Sequence, residues 1–154
     1  MVTIGEDTFV SLEYANAYFA RRPYSSAWTA ATEEARENAL IAAARHLDVL
    51  DWEGFRTSKA QPLSWPRRYV LDHEGELVPA DIIPPRLAQA QCELAILSLS
   101  KDLTTTEPGI RRKRVGDLEV EYESAMPDVL PTHVRRLVSS LMRDQSPHSA
   151  RLIF

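Results

Sequence analysis

The chain has 154 residues, of which 44% are hydrophobic, and it carries a formal net charge of −4. This length fits one domain that buries roughly 70% of the surface its unfolded chain would expose, with no need of disulfides. The acidic balance argues against a general, salt-driven nucleic-acid binder, because such domains are usually basic overall.

The single cysteine, Cys92, can form no internal disulfide, which suits a reducing cytoplasm or a particle assembled inside one. It lies in an apolar helical pattern, so we expect it to be buried. The start of the chain is acidic and lacks a basic region followed by an apolar run, so we expect no signal peptide. The apolar runs fall far short of the roughly 20 residues that cross a bilayer, and we expect a soluble protein.

The first predicted helix follows Ser11 and runs to Arg22. The serine hydroxyl can cap free backbone amides at the helix start. Leu12, Ala15 and Phe19 follow helical spacing and define one apolar face.

A second helix is predicted from Thr32 to about Leu50. Thr32 can cap it, and the carboxylates of Glu33 and Glu34 suit the positive end of the helix dipole. Its apolar face is rich in small residues and should let another helix approach closely. That face consists of Leu40, Ala43, Leu47 and Leu50, flanked by Ala35, Ala39 and Ala42.

The segment 51–68 is predicted to be neither helix nor strand, because aromatic residues, prolines and arginines interrupt both periods. Trp52, Phe55 and Trp65 are too large to be idle on a surface loop, so we expect them to tie the segment down. Pro62 and Pro66 should restrict its shape.

A short hairpin or turn is predicted at 69–78, centred on Asp72 to Gly75. Pro84 and Pro85 then introduce a third helix, since proline is tolerated in the first turn. We expect this helix to be central. Its apolar spacing is carried by Leu87, Ala90, Leu94 and Leu97 and continues to Lys101, with Ile96 and Leu99 widening the face.

The clearest strand signal is a hairpin whose two-residue turn is Gly116-Asp117. Opposite charges should meet across it, each pair contributing roughly 0.2 to 1 kcal/mol, so these arginines are expected to stabilise the hairpin. The predicted pairs are Val115 with Leu118, Arg114 with Glu119, Lys113 with Val120, Arg112 with Glu121, and Arg111 with Tyr122.

Pro127 and Asp128 lead to a last predicted helix, which Ser146-Pro147 ends. Its apolar face consists of Leu130, Val134, Leu137 and Leu141. The tail that follows closes with Leu152, Ile153 and Phe154, which one domain need not cover.

No catalytic or metal site is recognisable in the sequence. The four histidines are far apart and lack zinc-ligand spacing, and the five glycines form no phosphate-binding loop. Glu119, Glu121 and Glu123 alternate along one strand, but the opposing arginines favour a charge ladder over metal ligands. We therefore expect no enzyme activity, metal or cofactor.

The functional question rests on the segment 51–68, for which two interpretations stay open. Aromatic rings that stack on bases, interleaved with arginines that meet phosphates, are what a single-stranded nucleic-acid site needs. Alternatively, the tryptophans brace the loop against the helices while arginines bond loop carbonyls. The candidate residues for either role are Trp52, Phe55, Arg56, Trp65, Pro66, Arg67 and Arg68.

Three motifs in fixed order, Asp-Trp-x-Gly-x-Arg, Gln-x-Leu-x-Trp-Pro-Arg and Ile-Pro-Pro, resemble those of a small tailed-phage family. The resemblance covers about residues 11–122. The family is often labelled DnaT-like single-stranded DNA-binding protein, and its structural relatives are phage head-tail connector, or head-completion adaptor, subunits.

The connector resemblance implies a ring of identical subunits, typically a dodecamer, between the portal and the next neck or tail protein. It implies a location in the virion neck, after assembly in the host cytoplasm, and at most passing contact with DNA. Head-to-tail rings need two different complementary surfaces on each subunit. The candidates for these surfaces are Arg111, Arg112, Lys113, Arg114, Glu119, Glu121, Tyr122, Leu152, Ile153 and Phe154.

Taken together, the sequence predicts a mainly α fold: a bundle of three to four helices with a projecting β-hairpin and a long Trp/Pro-rich loop. We place a single domain at 1–145, with a hairpin arm at 110–123, and a tail at 146–154. The favoured function is a structural subunit of a phage neck, and the alternative is a DnaT-like single-stranded DNA-binding protein.

Overall fold

The computed structural model describes residues 1–104 and 130–144, together with the backbone of 113–115 and 118–120. As predicted, the described chain is mainly helical. Its α-helices are α1 (Leu12–Ala20), α2 (Ser26–Ala30), α3 (Glu33–Asp48), α4 (Pro85–Ser98) and α5 (Thr132–Val138), the last continued by a 3-10 turn, Ser139–Leu141. Its strands form two antiparallel pairs, β1 (Phe55–Arg56) with β2 (Arg67–Arg68) and β3 (Lys113–Val115) with β4 (Leu118–Val120).

Both predicted helix caps are present. The Ser11 side chain accepts a hydrogen bond from the Tyr14 amide, and Thr32 accepts one from the Ala35 amide. Helix α1 ends two residues earlier than predicted, because the Ser25 hydroxyl donates to the carbonyls of Phe19 and Arg22. The two caps fix where α1 and α3 begin.

The short helix α2 was missed by the sequence analysis. It has no side-chain cap, and five residues are too few to reveal a helical period. Tertiary contacts hold it: the buried Trp28 ring stacks on Phe19 at 4.4 Å, and its indole nitrogen donates to Asn16 Oδ1 at 3.0 Å. The packing of Trp28 therefore stabilises a short helix that has no local signal in the sequence.

Helix α4 is central, as predicted, and packs against both α3 and α5. Its buried face includes Leu87, Leu94 and the predicted buried Cys92. Gln91 is fully buried, accepts a hydrogen bond from the Phe9 amide at 3.1 Å and donates to the Leu40 carbonyl at 2.9 Å. This one side chain ties the N-terminal segment to α3 through α4.

The last helix is shorter than the sequence predicted, because the chain leaves it at Leu141 to pair with residues 51–53. The Glu53 amide donates to the Leu141 carbonyl, and the Arg143 amide donates to the Asp51 carbonyl, both at 2.9 Å. Trp52 and Met142 form the bridge between them. The tryptophan-rich segment is thus fastened to the end of the last helical element.

Two predictions about irregular segments can be compared with the structure. The segment 51–68 does contain strands, although short ones: Phe55 pairs with Arg68, and Arg56 pairs with Arg67. The turn at 69–78 is present, where the Asp72 carboxylate accepts hydrogen bonds from the amides of Glu74 and Glu76.

In the β3–β4 hairpin, Lys113 pairs with Val120, Arg114 with Glu119 and Val115 with Leu118, which is the predicted register. The predicted pairs Arg112 with Glu121 and Arg111 with Tyr122 lie outside the described residues. So do Pro127, Asp128 and the tail 146–154. Within the described part of the chain, no helix is long and apolar enough to span a bilayer.

Candidate functional site

The two tryptophans of the segment 51–68 lie inside the core. Trp52 is 2% exposed and Trp65 is 0% exposed, and their rings meet edge to face at 5.6 Å. The Trp52 indole nitrogen donates to the Leu47 carbonyl of α3 at 3.1 Å. Neither ring offers a free face to a base, so they hold the segment against the helices.

The motif Gln-x-Leu-x-Trp-Pro-Arg has a structural explanation, because every second residue from 61 to 67 holds the loop in place. The Gln61 amide nitrogen donates to the carbonyls of Leu63 and Pro66. Leu63 and Trp65 are buried. The alternate side chains of this extended segment therefore point inward, and the last of them is Arg67.

Arg67 fastens the two halves of the segment to each other. Its guanidinium donates to the carbonyls of Glu53 at 2.7 Å, Gly54 at 2.8 Å and Ser64 at 3.1 Å. Burial lowers the pKa of Arg67, and the nearby cations Arg143 and Arg56 lower it further. Because its N–H groups donate to carbonyls inside the protein, Arg67 acts as a clamp between the two halves of the segment.

Gly54, the glycine of the first motif, allows the two halves to come together. Its φ of 66° is in the left-handed region. A Cβ atom there would collide with the Arg68 carbonyl oxygen and lie 2.8 Å from Val70 Cγ2. No other residue type fits this position without moving the backbone of β2.

The outer side of the β1–β2 ribbon carries two exposed aromatic rings. Phe55 is 63% exposed and Tyr69 is 70% exposed, with ring centroids 6.4 Å apart and planes at 83°. The expectation that Phe55 ties the loop down is therefore wrong. Its ring points away from the core because Trp52, Leu63 and Trp65 already fill the space beneath the ribbon.

The backbone of Tyr69 explains how the second ring reaches the first. Side chains alternate between the two faces of a regular strand, so Tyr69 should point away from Arg68. Its φ of 62° breaks that alternation and brings the ring against both Phe55 and Arg68. Such a conformation is rare and costly for a bulky residue.

One arginine flanks these rings. The Arg68 guanidinium lies over the Tyr69 ring at 5.7 Å, and within the described residues it has no hydrogen-bond or ion-pair partner. Arg56 is exposed, but it pairs with Arg67 in the ladder, so its side chain leaves the opposite side of the ribbon, where it makes a hydrogen bond of 3.3 Å to the Gln61 carbonyl. We name Phe55, Arg68 and Tyr69 the ribbon face.

The structure thus places the predicted site residues on two opposite sides of the ribbon. Trp52, Trp65 and Arg67 lie beneath the ribbon, Phe55 and Arg68 lie on the ribbon face, and Arg56 lies on the side of its ladder partner Arg67. The carbonyl of Pro66 accepts a hydrogen bond from the Gln61 amide nitrogen. Tyr69 was missed, since its strained backbone has no sequence signal, although an aromatic residue directly after two arginines could have marked it. Of the predicted interface, only the backbone of Lys113, Arg114 and Glu119 is described, and Arg111, Arg112, Glu121, Tyr122, Leu152, Ile153 and Phe154 lie outside the described residues.

A second polar cluster surrounds Glu93 of α4, which is 7% exposed. It accepts hydrogen bonds from Tyr18 at 2.6 Å and from two Arg22 nitrogens at 2.8 and 3.0 Å, and His133 Nε2 lies 3.5 Å away. Burial alone would raise the pKa of Glu93, but the bonds from Arg22 and Tyr18 outweigh it and lower that pKa. The cluster joins α1, α4 and α5.

An open groove of about 440 Å³ runs beside this cluster and is lined by Tyr14, Ala17, Tyr18, Arg21 and Arg22. Tyr18 and Arg22 already donate to Glu93, so we assign the groove no ligand. Across the described ranges, no three potential metal-ligating side chains come together. Burial raises the pKa of the Cys92 thiol to about 12, which leaves it protonated and unreactive.

These features define a small, mainly α-helical domain in which a tryptophan-braced segment supports an exposed aromatic and basic surface. The sequence matches the family described as "Putative DnaT-like ssDNA binding protein" over residues 2–153, and the chain belongs to that family. The match extends beyond the 11–122 expected from the motifs. No curated protein and no solved structure matches the chain.

Proposed function

We propose that the protein binds single-stranded DNA through the ribbon face. The observation that carries this proposal is the pairing of two exposed rings, Phe55 and Tyr69, with the outward-facing Arg68. Bases stack on aromatic rings and arginines meet the phosphates between them, which is the usual composition of a single-strand site. Family membership supports the same function.

The site differs from the one that the tryptophans suggested. Trp52 and Trp65 support the ribbon from beneath, so a loss of binding in Trp65→Ala would report loss of packing rather than loss of a base contact. The contacts to DNA are made instead by the residues of the ribbon face, which lie on the opposite side of the ribbon from the two buried rings. We propose binding without catalysis, metal or cofactor.

The test is a titration of a fluorescently labelled oligothymidine with the wild type, Phe55→Ala and Tyr69→Ala. We expect each variant to lose roughly 5- to 150-fold in affinity, since stacking contributes roughly 1 to 3 kcal/mol per base. Circular dichroism and urea unfolding must show that both variants remain folded.

Tyr24→Ala is the matched control, because Tyr24 is also an exposed tyrosine with a left-handed backbone, 95% exposed with φ 56°, but lies between α1 and α2. We expect it to bind like the wild type. Equal affinities for the wild type, Phe55→Ala and Tyr69→Ala would contradict the proposal, as would the absence of binding by the wild type at low salt.

A subunit of a phage neck is the second candidate, located in the virion neck between the portal and the next neck or tail protein. Two observations favour it: the β3–β4 hairpin has a defined register, and the buried tryptophans make a rigid scaffold. In this role the hairpin and the tail would contact neighbouring copies in a ring.

The connector role can be tested by native mass spectrometry of the protein alone and with portal protein. Arg114 and Glu119 are partners in the backbone register of the hairpin, so Arg114→Glu combined with Glu119→Arg keeps opposite charges at these two positions while exchanging them. If the hairpin contacts a neighbour, the double variant should stay folded yet fail to form rings. Absence of any ring in the wild type, with and without portal protein, would reject this role.

A further inference from the structure

We infer that the ribbon face binds a single strand in a kinked form, with two successive bases turned out of their mutual stack. This inference rests on the proposed function and describes the ligand conformation that the site would select. Its basis is the orientation of the two rings, whose planes stand at 83° with centroids 6.4 Å apart.

Neighbouring bases in a stacked strand lie parallel, about 3.4 Å apart. Two bases that stay stacked on each other cannot each lie flat on rings that are nearly perpendicular. If one base stacks on Phe55 and the next on Tyr69, the strand must turn by roughly a right angle between them. Two such bases can no longer stack on each other.

A single base inserted between the rings does not satisfy the geometry. Such a sandwich needs two parallel rings separated by about twice the stacking distance of 3.4 Å. The ring planes of Phe55 and Tyr69 stand at 83° to each other, so they cannot enclose a base between parallel faces. Each ring therefore takes its own base, and the site covers a step of two nucleotides.

The position of Arg68 agrees with this arrangement. It faces Phe55 across the ladder and lies over the Tyr69 ring, so its guanidinium is next to both rings. The phosphate that joins the two bases would lie at the kink, within reach of this cation. An arginine can meet such a phosphate with two parallel hydrogen bonds.

The left-handed backbone of Tyr69 holds the rings in this orientation. Its φ of 62° places the ring beside Phe55, and the flanking residues keep that conformation in place. Gly54 packs directly against the carbonyls of Arg68 and Tyr69 and the side chain of Val70. Val70 is fully buried, and its carbonyl accepts a hydrogen bond from the Val78 amide at 2.8 Å. Strain maintained in this way is typical of a functional position.

The site should therefore favour strands that unstack easily. Thymine runs stack weakly, whereas adenine runs stack well and must give up that stacking to bind. We expect an oligothymidine to bind more tightly than an oligodeoxyadenosine of equal length, by up to about tenfold for one lost step. A duplex should not compete, because its bases stay paired and stacked.

The decisive experiment uses a short strand of abasic nucleotides that carries two adjacent 2-aminopurines, so that these are the only bases available to the site. Their stacking produces an exciton couplet in circular dichroism at wavelengths where the protein is silent. We expect the couplet to collapse when the wild type saturates the strand. Phe55→Ala, measured at saturating concentration, should retain it, because a single ring imposes no turn. Tyr24→Ala is the control and should abolish the couplet as the wild type does.

The outcomes separate the two proposals. A wild-type complex that forms while keeping the full couplet, with equal affinity for the thymidine and deoxyadenosine strands, would overturn the kink and leave single-strand binding in place. No complex with either strand would overturn the proposed function, and the inference with it. Loss of the couplet in the Phe55→Ala complex would also contradict the assignment of one base to each ring.

Discussion

Individual residues in this protein have clear and separate roles, although several of them are neighbours in the sequence. Between positions 65 and 69, Trp65 fills the core, Arg67 clamps carbonyls, and Arg68 and Tyr69 face outward. The left-handed glycine Gly54 makes their arrangement possible by letting the chain pass within contact of β2. A conservative change at one of these positions should thus have a specific effect.

Gly54→Ala should be among the most damaging single substitutions in the protein. The added methyl group must displace the backbone at Arg68, and the positive φ adds roughly 1 to 3 kcal/mol of strain. We expect a large loss of unfolding free energy in urea, accompanied by loss of DNA binding.

Gly75→Ala is the matched control for this prediction. Gly75 also has a positive φ, 84°, but a Cβ there would meet nothing within 4 Å. Gly75→Ala should lose only the unfolding free energy that the backbone strain costs, and its DNA binding should be unchanged. If the two variants lose the same stability, the close approach of Gly54 to β2 is not what constrains this position.

At the level of elements, the helices are held together by apolar packing and by one charged cluster. Glu93 projects from the central helix α4 and is bonded by Tyr18 and Arg22, from α1 and its C-terminal end, while His133 of α5 lies within 3.5 Å. A carboxylate buried this deeply stays charged only because its partners outweigh the cost of desolvation. Removing the charge of Glu93 should therefore weaken the packing of α1, α4 and α5 on one another.

The pH dependence of this cluster follows from the lowered pKa of Glu93. The unfolded group titrates near 4.5, and the folded group titrates below it. The stabilisation from Glu93 is therefore complete above about pH 4.5 and is lost as the pH falls through the folded pKa. The wild type should lose more stability than Glu93→Gln when urea unfolding is compared between about pH 7 and about pH 3.5.

Glu74→Gln serves as the control here, because the Glu74 side chain is 72% exposed in the turn at 72–76. It should keep the acid sensitivity of the wild type. An acid response in Glu93→Gln as steep as that of the wild type would show that the cluster does not contribute.

For the whole molecule, the net charge of −4 limits how DNA can be bound. A protein with this balance cannot rely on a diffuse attraction to phosphates, so affinity must come from a small local site. The ribbon face supplies one arginine and two rings, which makes stacking the larger contribution to binding.

Binding should accordingly depend only weakly on salt. Contacts to single strands give a slope of about −0.7 per neutralised phosphate, so the single arginine of the ribbon face predicts a slope of about −0.7 for log K against log salt. Arg68→Ala should remove most of this salt dependence. Titrations at several NaCl concentrations provide the measurement, and a slope several times steeper would indicate a wider basic surface than the ribbon face.

Local signals predicted the regular elements well. The caps at Ser11 and Thr32, the prolines that begin α4 and the register of β3 with β4 agree with the structure, because each is decided by neighbouring residues. Helix α2 and the early end of the last helix were not predicted, since long-range contacts decide both: Phe19 with Trp28, and the pairing of 141–143 with 51–53.

The amino-acid sequence alone determined the helical class, the main helix starts and the importance of the segment 51–68, because period, capping and composition are local properties. Only the tertiary structure decided which side of that segment faces out. Trp52 and Trp65 are buried, whereas Phe55 and Tyr69 are exposed. All four are aromatic residues that no local rule distinguishes. The Trp52 and Trp65 rings pack against each other in the core, and Phe55 and Tyr69 remain on the surface.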